Sequence, residues 1–358
     1  MKAILALEDG TIYQGESFGS DVRAYGEVVF NTGMTGYQEI LTDPSYAGQI
    51  VCLTYPMIGN YGINEDDVES RRIQVEGFIV HEAAEIPSNW RSGKTLSKFL
   101  AERGVPAISG IDTRSLTRKI RSHGVMTGAI STDETAEEAL ARIAHSPSYD
   151  GVDFVRKVTA EKPYIWPYEG TPEFQIALLD CGVKYNIMRS LAKVGCQTTV
   201  FPCDTPAEAI LERNPDGVML SPGPGDPALL GYIVETVKTL AYKKPMMGVC
   251  LGNQLLGYAF GSHTYKLKFG HRGSNHPVRD VHADKVYITS QNHGYAVDPT
   301  ELKDGMEVGH INLNDGTVEG LRHRELPIFS IQYHPEASPG PMDSMYYFGQ
   351  FVEMIRKS

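Results

Sequence analysis

Residues 244–256 read KPMMGVCLGNQLL, and few architectures accommodate that run. Positions 246–249 form a short apolar stretch after Pro245, as a buried strand requires. From Gly252 onward, Leu255, Leu256, Ala259 and Phe260 recur at helical spacing. Cys250 therefore falls at a strand-to-helix turn between Gly248 and Gly252, a G-x-C-x-G form of the nucleophile elbow. Small neighbours let such a turn close while the side chain stands clear of the backbone. The following helix aims its first amides at the thiol, which favours a thiolate and any oxyanion formed beside it. The same pattern also fits an inert cysteine in an α/β core. Other segments have to decide between the two.

From position 175 the chain alternates strand and helix. Strands are expected over 176–179, 198–201, 217–220 and 246–249, and helices over 185–193 and 229–241. A further helix should open at Thr205-Pro206-Ala207-Glu208, with a cap, a proline at the first helical position and a box glutamate. This alternation specifies a doubly wound parallel sheet, whose function is expected at the carboxyl ends of the strands. After Gly261 shorter β segments are expected, the last running from 327 to 333 straight into His334. Residues 1–150 read instead as a mixed β-rich α/β domain with a few helices. These include 95–102, 114–121 (capped by Asp112 or Thr113) and 136–144 behind a capping box at 131–134. Residues 151–174 read as a proline-bearing linker, and 175–358 as the second domain.

The chain has 358 residues, 41% of them apolar and 22% charged, which suits a globular protein with two cores. Its formal charge of −11 argues against a nucleic-acid surface and against an anionic membrane. No apolar run approaches a membrane span. The opening run reaches Glu8 and Asp9 too soon for a signal peptide, so it is expected as a first strand. Five cysteines without paired spacing suggest neither a disulfide framework nor a zinc site, and no metal is expected. A reducing cytoplasm fits.

A cysteine nucleophile needs a base, and the base needs an orienting acceptor. His334 and Glu336 lie two apart, so in extended chain they project to one side, with Pro335 restricting the backbone between them. They leave an apolar strand where it would face the same crevice as Cys250. His271, His276, His293 and His310 have no carboxylate two residues on and are weaker candidates. Acyl transfer also needs amides aimed at the developing charge. The Leu251 amide follows the nucleophile, and the loop Pro222-Gly223-Pro224-Gly225 could supply another from a stiff turn. Gln254, one helical turn past Cys250, and the polar loop 290–295 could hold an amino-acid head group.

These residues resemble class I glutamine amidotransferases. The resemblance rests on Gly248–Gln254, the PGPGDP loop at 222–227, and Tyr333-His334-Pro335-Glu336. The rest of the chain is similar to one branch of that family, the small subunits of carbamoyl-phosphate synthase. It carries FNTGMTGYQE at 30–39, DPSY at 43–46, GIDTR at 110–114, GVK at 182–184, GSNHP at 273–277 and QNHGY at 291–295. The resemblance implies that Cys250 attacks the glutamine amide, His334 shuttles the proton and Glu336 orients His334. It implies glutamine contacts at Ser45, Gly223, Gly225, Leu251, Gln254, Asn292, Gly294 and Tyr295, with the site facing an interdomain crevice. Tyr295 stands where the family commonly has phenylalanine, and Tyr185 is an unusual neighbour of Lys184.

The resemblance further implies a large-subunit partner, as a heterodimer or a higher oligomer of heterodimers, docked on the N-terminal domain. That partner would take ammonia through a tunnel and bind ATP with Mg or K ions, since this chain has no G-x-x-x-x-G-K-[ST] and no other phosphate cradle. The product could serve arginine, pyrimidines or both. Two alternatives stand beside this reading: a stand-alone γ-glutamyl hydrolase, and a non-catalytic glutamine-sensing scaffold.

Overall fold

The computed structural model describes residues 1–358, and the chain separates into two compact units, Met1–Val152 and Asp153–Ser358. The first contains strands β1 (Lys2–Leu7), β2 (Ile12–Ser17), β3 (Ala24–Asn31), β4 (Gln49–Leu53), β5 (Met57–Ile58), β6 (Gly77–Ile79), β7 (Glu82–Ala83), β8 (Ala107–Ser109) and β9 (Met126–Ser131). Seven of them close a barrel in the order β1-β2-β8-β6-β4-β3-β9, which leaves no open edge, while β5 and β7 pair separately. Helices α1 (Tyr37–Thr42), α2 (Leu96–Glu102), α3 (Thr113–His123) and α4 (Ala136–His145) complete the unit. The capping box of α4 sits one turn later than expected. The sequence contains S/T-x-x-E twice, but β9 runs through Ser131, so the helix opens at Thr135, whose side chain and that of Glu138 cap reciprocally. Ser131 Oγ instead accepts from the Asp133 and Glu134 amides.

The second unit runs α5 (Val155–Val158), β10 (Tyr164–Ile165), β11 (Phe174–Asp180), α6 (Tyr185–Lys193), β12 (Cys196–Pro202), α7 (Ala207–Leu211), β13 (Gly217–Leu220), α8 (Gly231–Ala241), β14 (Met246–Val249) and α9 (Leu251–Ala259). It continues through β15 (Thr264–Asp280), β16 (Lys285–Val297), β17 (Met306–Asn312), β18 (Val318–His323), β19 (Ile328–Ile331) and α10 (Tyr346–Arg356). One sheet has the order β10-β12-β11-β13-β14-β19-β18-β17-β15-β16. The strands from β12 to β19 are parallel, and an antiparallel wing follows.

The pleat explains the layering. Ala177, Leu179, Val218, Leu220 and Met246 face one core with α7, α8 and α9, while Ile176, Leu178, Met219, Met247 and Val249 face the other with α6 and α10. Runs that are apolar on both faces are what a parallel sheet covered on both sides demands.

Three further expectations need correction. Residues 153–174 are built into the second unit: α5 packs Val155 into its core, and β10 pairs antiparallel with β12. The helix expected at Thr205 begins beyond Pro206 without a side-chain cap, because the Thr205 hydroxyl donates back to the Pro202 carbonyl at 2.8 Å. The β segments after Gly261 are not short. β15 and β16 run for 17 and 13 residues, kept as single strands by register shifts at two places.

α10 closes the second core by laying Phe351 and Ile355 over Gly217, where an added Cβ would come within 2.9 Å of the Phe351 ring. Phe351→Ala should lower unfolding stability by about 3–5 kcal/mol, read as a shift of the denaturation midpoint of the second unit.

Candidate active site

β14 delivers Cys250 to the carboxyl edge of the sheet, and the turn there is sharp. Cys250 has φ 53° and ψ −104°, a conformation rare for a residue with a side chain. Its amide donates to Ile331 O at 2.8 Å, so the elbow is hydrogen-bonded to the end of β19. Gly252 makes the close approach possible, since a Cβ there would lie 2.5 Å from Leu220 O. The loop after β13 is pinned as well: Ser221 Oγ donates to Pro222 O at 2.8 Å and accepts from the Cys181 amide at 2.8 Å. Gly223 lies against the Cys181 carbonyl and the Leu251 side chain, so this loop and the first residue of α9 are neighbours.

β19 leads to His334 and Glu336, but not in extended chain. Residues 334–337 form a turn, with the Ala337 amide donating to His334 O at 3.2 Å. The turn brings His334 Nδ1 to 2.7 Å from Glu336 Oε1. Cys250, His334 and Glu336 are 2%, 3% and 0% exposed, so their interactions act in a water-poor setting. His334 Nε2 is buried with no hydrogen-bond partner, and the Cys250 side chain is near enough to contribute to its raised pKa. Burial alone would push the imidazolium pKa down. The Glu336 charge and the contacts with Cys250 and Glu336 outweigh it, and His334 is raised to about 10. Burial would likewise raise Glu336, but Lys184 and His334 hold it at about 2.

Lys184 is the functional group that spacing did not expose. It is fully buried, sits 3.0 Å from Glu336 Oε1 through Nζ, and donates to Ala337 O at 2.6 Å. A lysine at the N-cap of α6 reads as surface in the sequence, and only GVK at 182–184 marks it. Asn186 Nδ2 donates to Glu336 O at 2.5 Å, holding the same turn from α6.

The expected substrate residues fall into distinct settings. The Cys250 thiol donates to Asn292 O at 3.6 Å, which joins loop 290–295 to the elbow. Gln254 is 3% exposed and its Nε2 already donates to Tyr295 O at 3.0 Å and to Gln332 Oε1 at 3.2 Å, so this nitrogen ties α9 to β16 rather than standing open. Gly294 and Tyr295 lie in β16 beside it. Gly225 takes φ 90° in the loop after β13. Ser45 belongs to the first unit, where its amide donates to Asp43 Oδ1 at 2.9 Å and its buried hydroxyl has no partner. His271 and His293, the weaker base candidates, come together with Glu319, their ligand-type atoms within 4.8 Å of one another. The hydroxyl or ring of none of these replaces His334 next to Cys250.

The arrangement can deprotonate a thiol, orient the base and present amides to an oxyanion. Removing the buried ammonium by Lys184→Met should cost ~3–5 kcal/mol of stability. Because Glu336 is held below its ordinary 4.5, its ionisation stabilises the fold above that pH, and the contribution fades as pH falls through about 2. The deficit of Lys184→Met relative to the parent should therefore be full above pH 4.5 and shrink on acidification, read from urea midpoints across pH.

Comparison with known proteins places this geometry. Residues 5–130 match the family model described as carbamoyl-phosphate synthase small chain, CPSase domain, and residues 177–354 match glutamine amidotransferase class-I. The chain is 52% identical over 371 residues to a carbamoyl phosphate synthase small chain of Syntrophotalea carbinolica, covering 100% of this chain and 99% of that one. It is 52% identical over 363 residues to one of Methanopyrus kandleri, covering 100% of each. It is 50% identical over 358 residues to one of Archaeoglobus fulgidus, covering 100% of this chain and 99% of that one. With a matching domain in each half and such relatives along its whole length, the chain belongs to the carbamoyl phosphate synthase small-chain family.

Proposed function

We propose that this protein is the glutamine-hydrolysing small subunit of a carbamoyl-phosphate synthase, releasing ammonia for a larger partner. The observation that carries the reading is the buried convergence of the Cys250 elbow with an imidazole from the adjacent strand whose outer nitrogen has no hydrogen-bond partner. His334, its proton affinity raised by Glu336, holds the proton given up by Cys250, and the thiolate attacks the side-chain carboxamide carbon of glutamine. The tetrahedral oxyanion is received by the Leu251 amide and the Gly223–Gly225 loop. As it collapses, His334 returns the proton to the leaving nitrogen, ammonia departs and a glutamyl thioester remains. Water, deprotonated by His334, then attacks the thioester, and glutamate leaves as Cys250 regains its proton. Glu336 holds His334 in the tautomer this requires and stabilises the imidazolium that forms. Gln254, Asn292, Gly294 and Tyr295 hold the amino-acid head group.

The ATP-dependent chemistry belongs to the large subunit, with Mg or K ions there, and the first unit supplies the docking surface. Heterodimers, or oligomers of them, are the working form. All five cysteines are free, in keeping with a reducing cytoplasm; no helix is long and apolar enough to cross a membrane. The stand-alone hydrolase reading leaves the barrel unit without a task, and the scaffold reading leaves an assembled trio without one.

The test is Cys250→Ala in the complex with the large chain. Glutamine-dependent synthesis should fall by about 10³-fold or more while ammonia-dependent synthesis is retained. Undiminished glutamate release would refute the assignment. In the same assay Glu336→Gln should lower kcat by about 10²–10⁴-fold.

A further inference from the structure

Behind the active-site loop lies a second buried carboxylate that the reaction does not use. Glu319, in β18, is 0% exposed, and three side-chain donors converge on it from other strands. Its Oε1 is 2.9 Å from Asn312 Nδ2 and 3.2 Å from His271 Nδ1, and its Oε2 is 2.9 Å from Gln291 Nε2. His293 Nε2 lies 3.7 Å from Oε1. His271 is held from its other side by Asp315 at 2.8 Å, so both its nitrogens donate to carboxylates. A metal ion would have to displace these hydrogen bonds, since each candidate ligand atom already has a partner.

The network runs toward Cys250. His271 pairs with His293 and Gly273 with Gln291 in a short block of the β15–β16 ladder, with a register shift on either side of it. Backbone pairing holds this block over only three residue pairs, and side chains add to it. Gln291, held by Glu319, places its Oε1 3.0 Å from His293 Nε2, and His293 Nδ1 donates to Tyr295 O at 2.7 Å. Strand alternation turns 291 and 293 toward Glu319, which leaves Asn292 and Gly294 disposed to the opposite side. Asn292 O is the acceptor of the Cys250 thiol, and Tyr295 O the acceptor of Gln254.

We propose that Glu319 is a positioning residue for glutamine: by gathering His271, Gln291 and Asn312 it fixes the 291–295 segment that meets the substrate and Cys250. This rests on the glutaminase reading above. A carboxylate is needed because every neighbour is a donor. An amide at 319 would set its own N–H groups against Gln291 or against His271 and Asn312.

The experiment is Glu319→Gln in the complex with the large chain, with steady-state glutamine hydrolysis and ammonia-dependent synthesis measured side by side. KM for glutamine should rise about tenfold, with kcat within about threefold of the parent and ammonia-dependent synthesis unchanged. Should that variant not fold, Gln291→Met cuts the same link at its next member and should show the same split. An unchanged KM in a folded variant, or a loss confined to kcat, overturns the proposal. So does stoichiometric zinc in the parent complex that disappears on substitution, since the cluster would then serve a metal. A parent complex that releases no glutamate would instead sink the glutaminase reading, and the proposal with it.

Discussion

The second unit depends on one hydrogen bond at the end of its sheet, from the Cys250 amide to Ile331 O. It extends the parallel pairing of β14 with β19 one residue past the last regular strand position, into a backbone conformation that an L-residue resists. Cys250 can hold that conformation because its neighbours leave no alternative. α9 packs Leu255 and Leu256 into the core, Gly252 passes against the Leu220 carbonyl, and the strand before it is buried on both faces. The strain is local, and the surrounding apolar burial offsets it.

Charge is handled by enclosure. Glu336 and Glu319 are both fully buried, and each survives as a carboxylate because donors surround it. Around Glu336 they are an ammonium and an imidazole; around Glu319 they are an imidazole and two amides. Glu336 raises the proton affinity of His334 against the opposing Lys184 ammonium, while Glu319 carries no substrate chemistry and braces the strand facing it. Two acids in one fold thus take separate roles through what they touch.

Much of this was legible in the chain. The apolar runs of β13 and β14 and the helix α6 coincide with their expected bounds, because a strand buried on both faces has little freedom to be anything else. The elbow was visible because G-x-C-x-G states its own steric requirement. The pairing of His334 with Glu336 was anticipated, though through a turn instead of extended chain. What escaped was anything fixed by tertiary contact: Lys184 gives no local sign of burial, and Glu319 meets His271, Gln291 and Asn312 only once β15 to β18 are folded together. The long β15–β16 hairpin was missed because its polar, glycine-rich middle breaks the alternation that would have marked continuous strands.

The bond from Cys250 to β19 also bears on how activity is lost with heat. The sulfur and the imidazole leave from adjacent paired strands at the centre of the sheet, so neither can drift from the other while that pairing survives. Inactivation on warming should then coincide with cooperative melting of the whole Asp153–Ser358 unit, with no earlier phase in which the fold persists but the chemistry is gone.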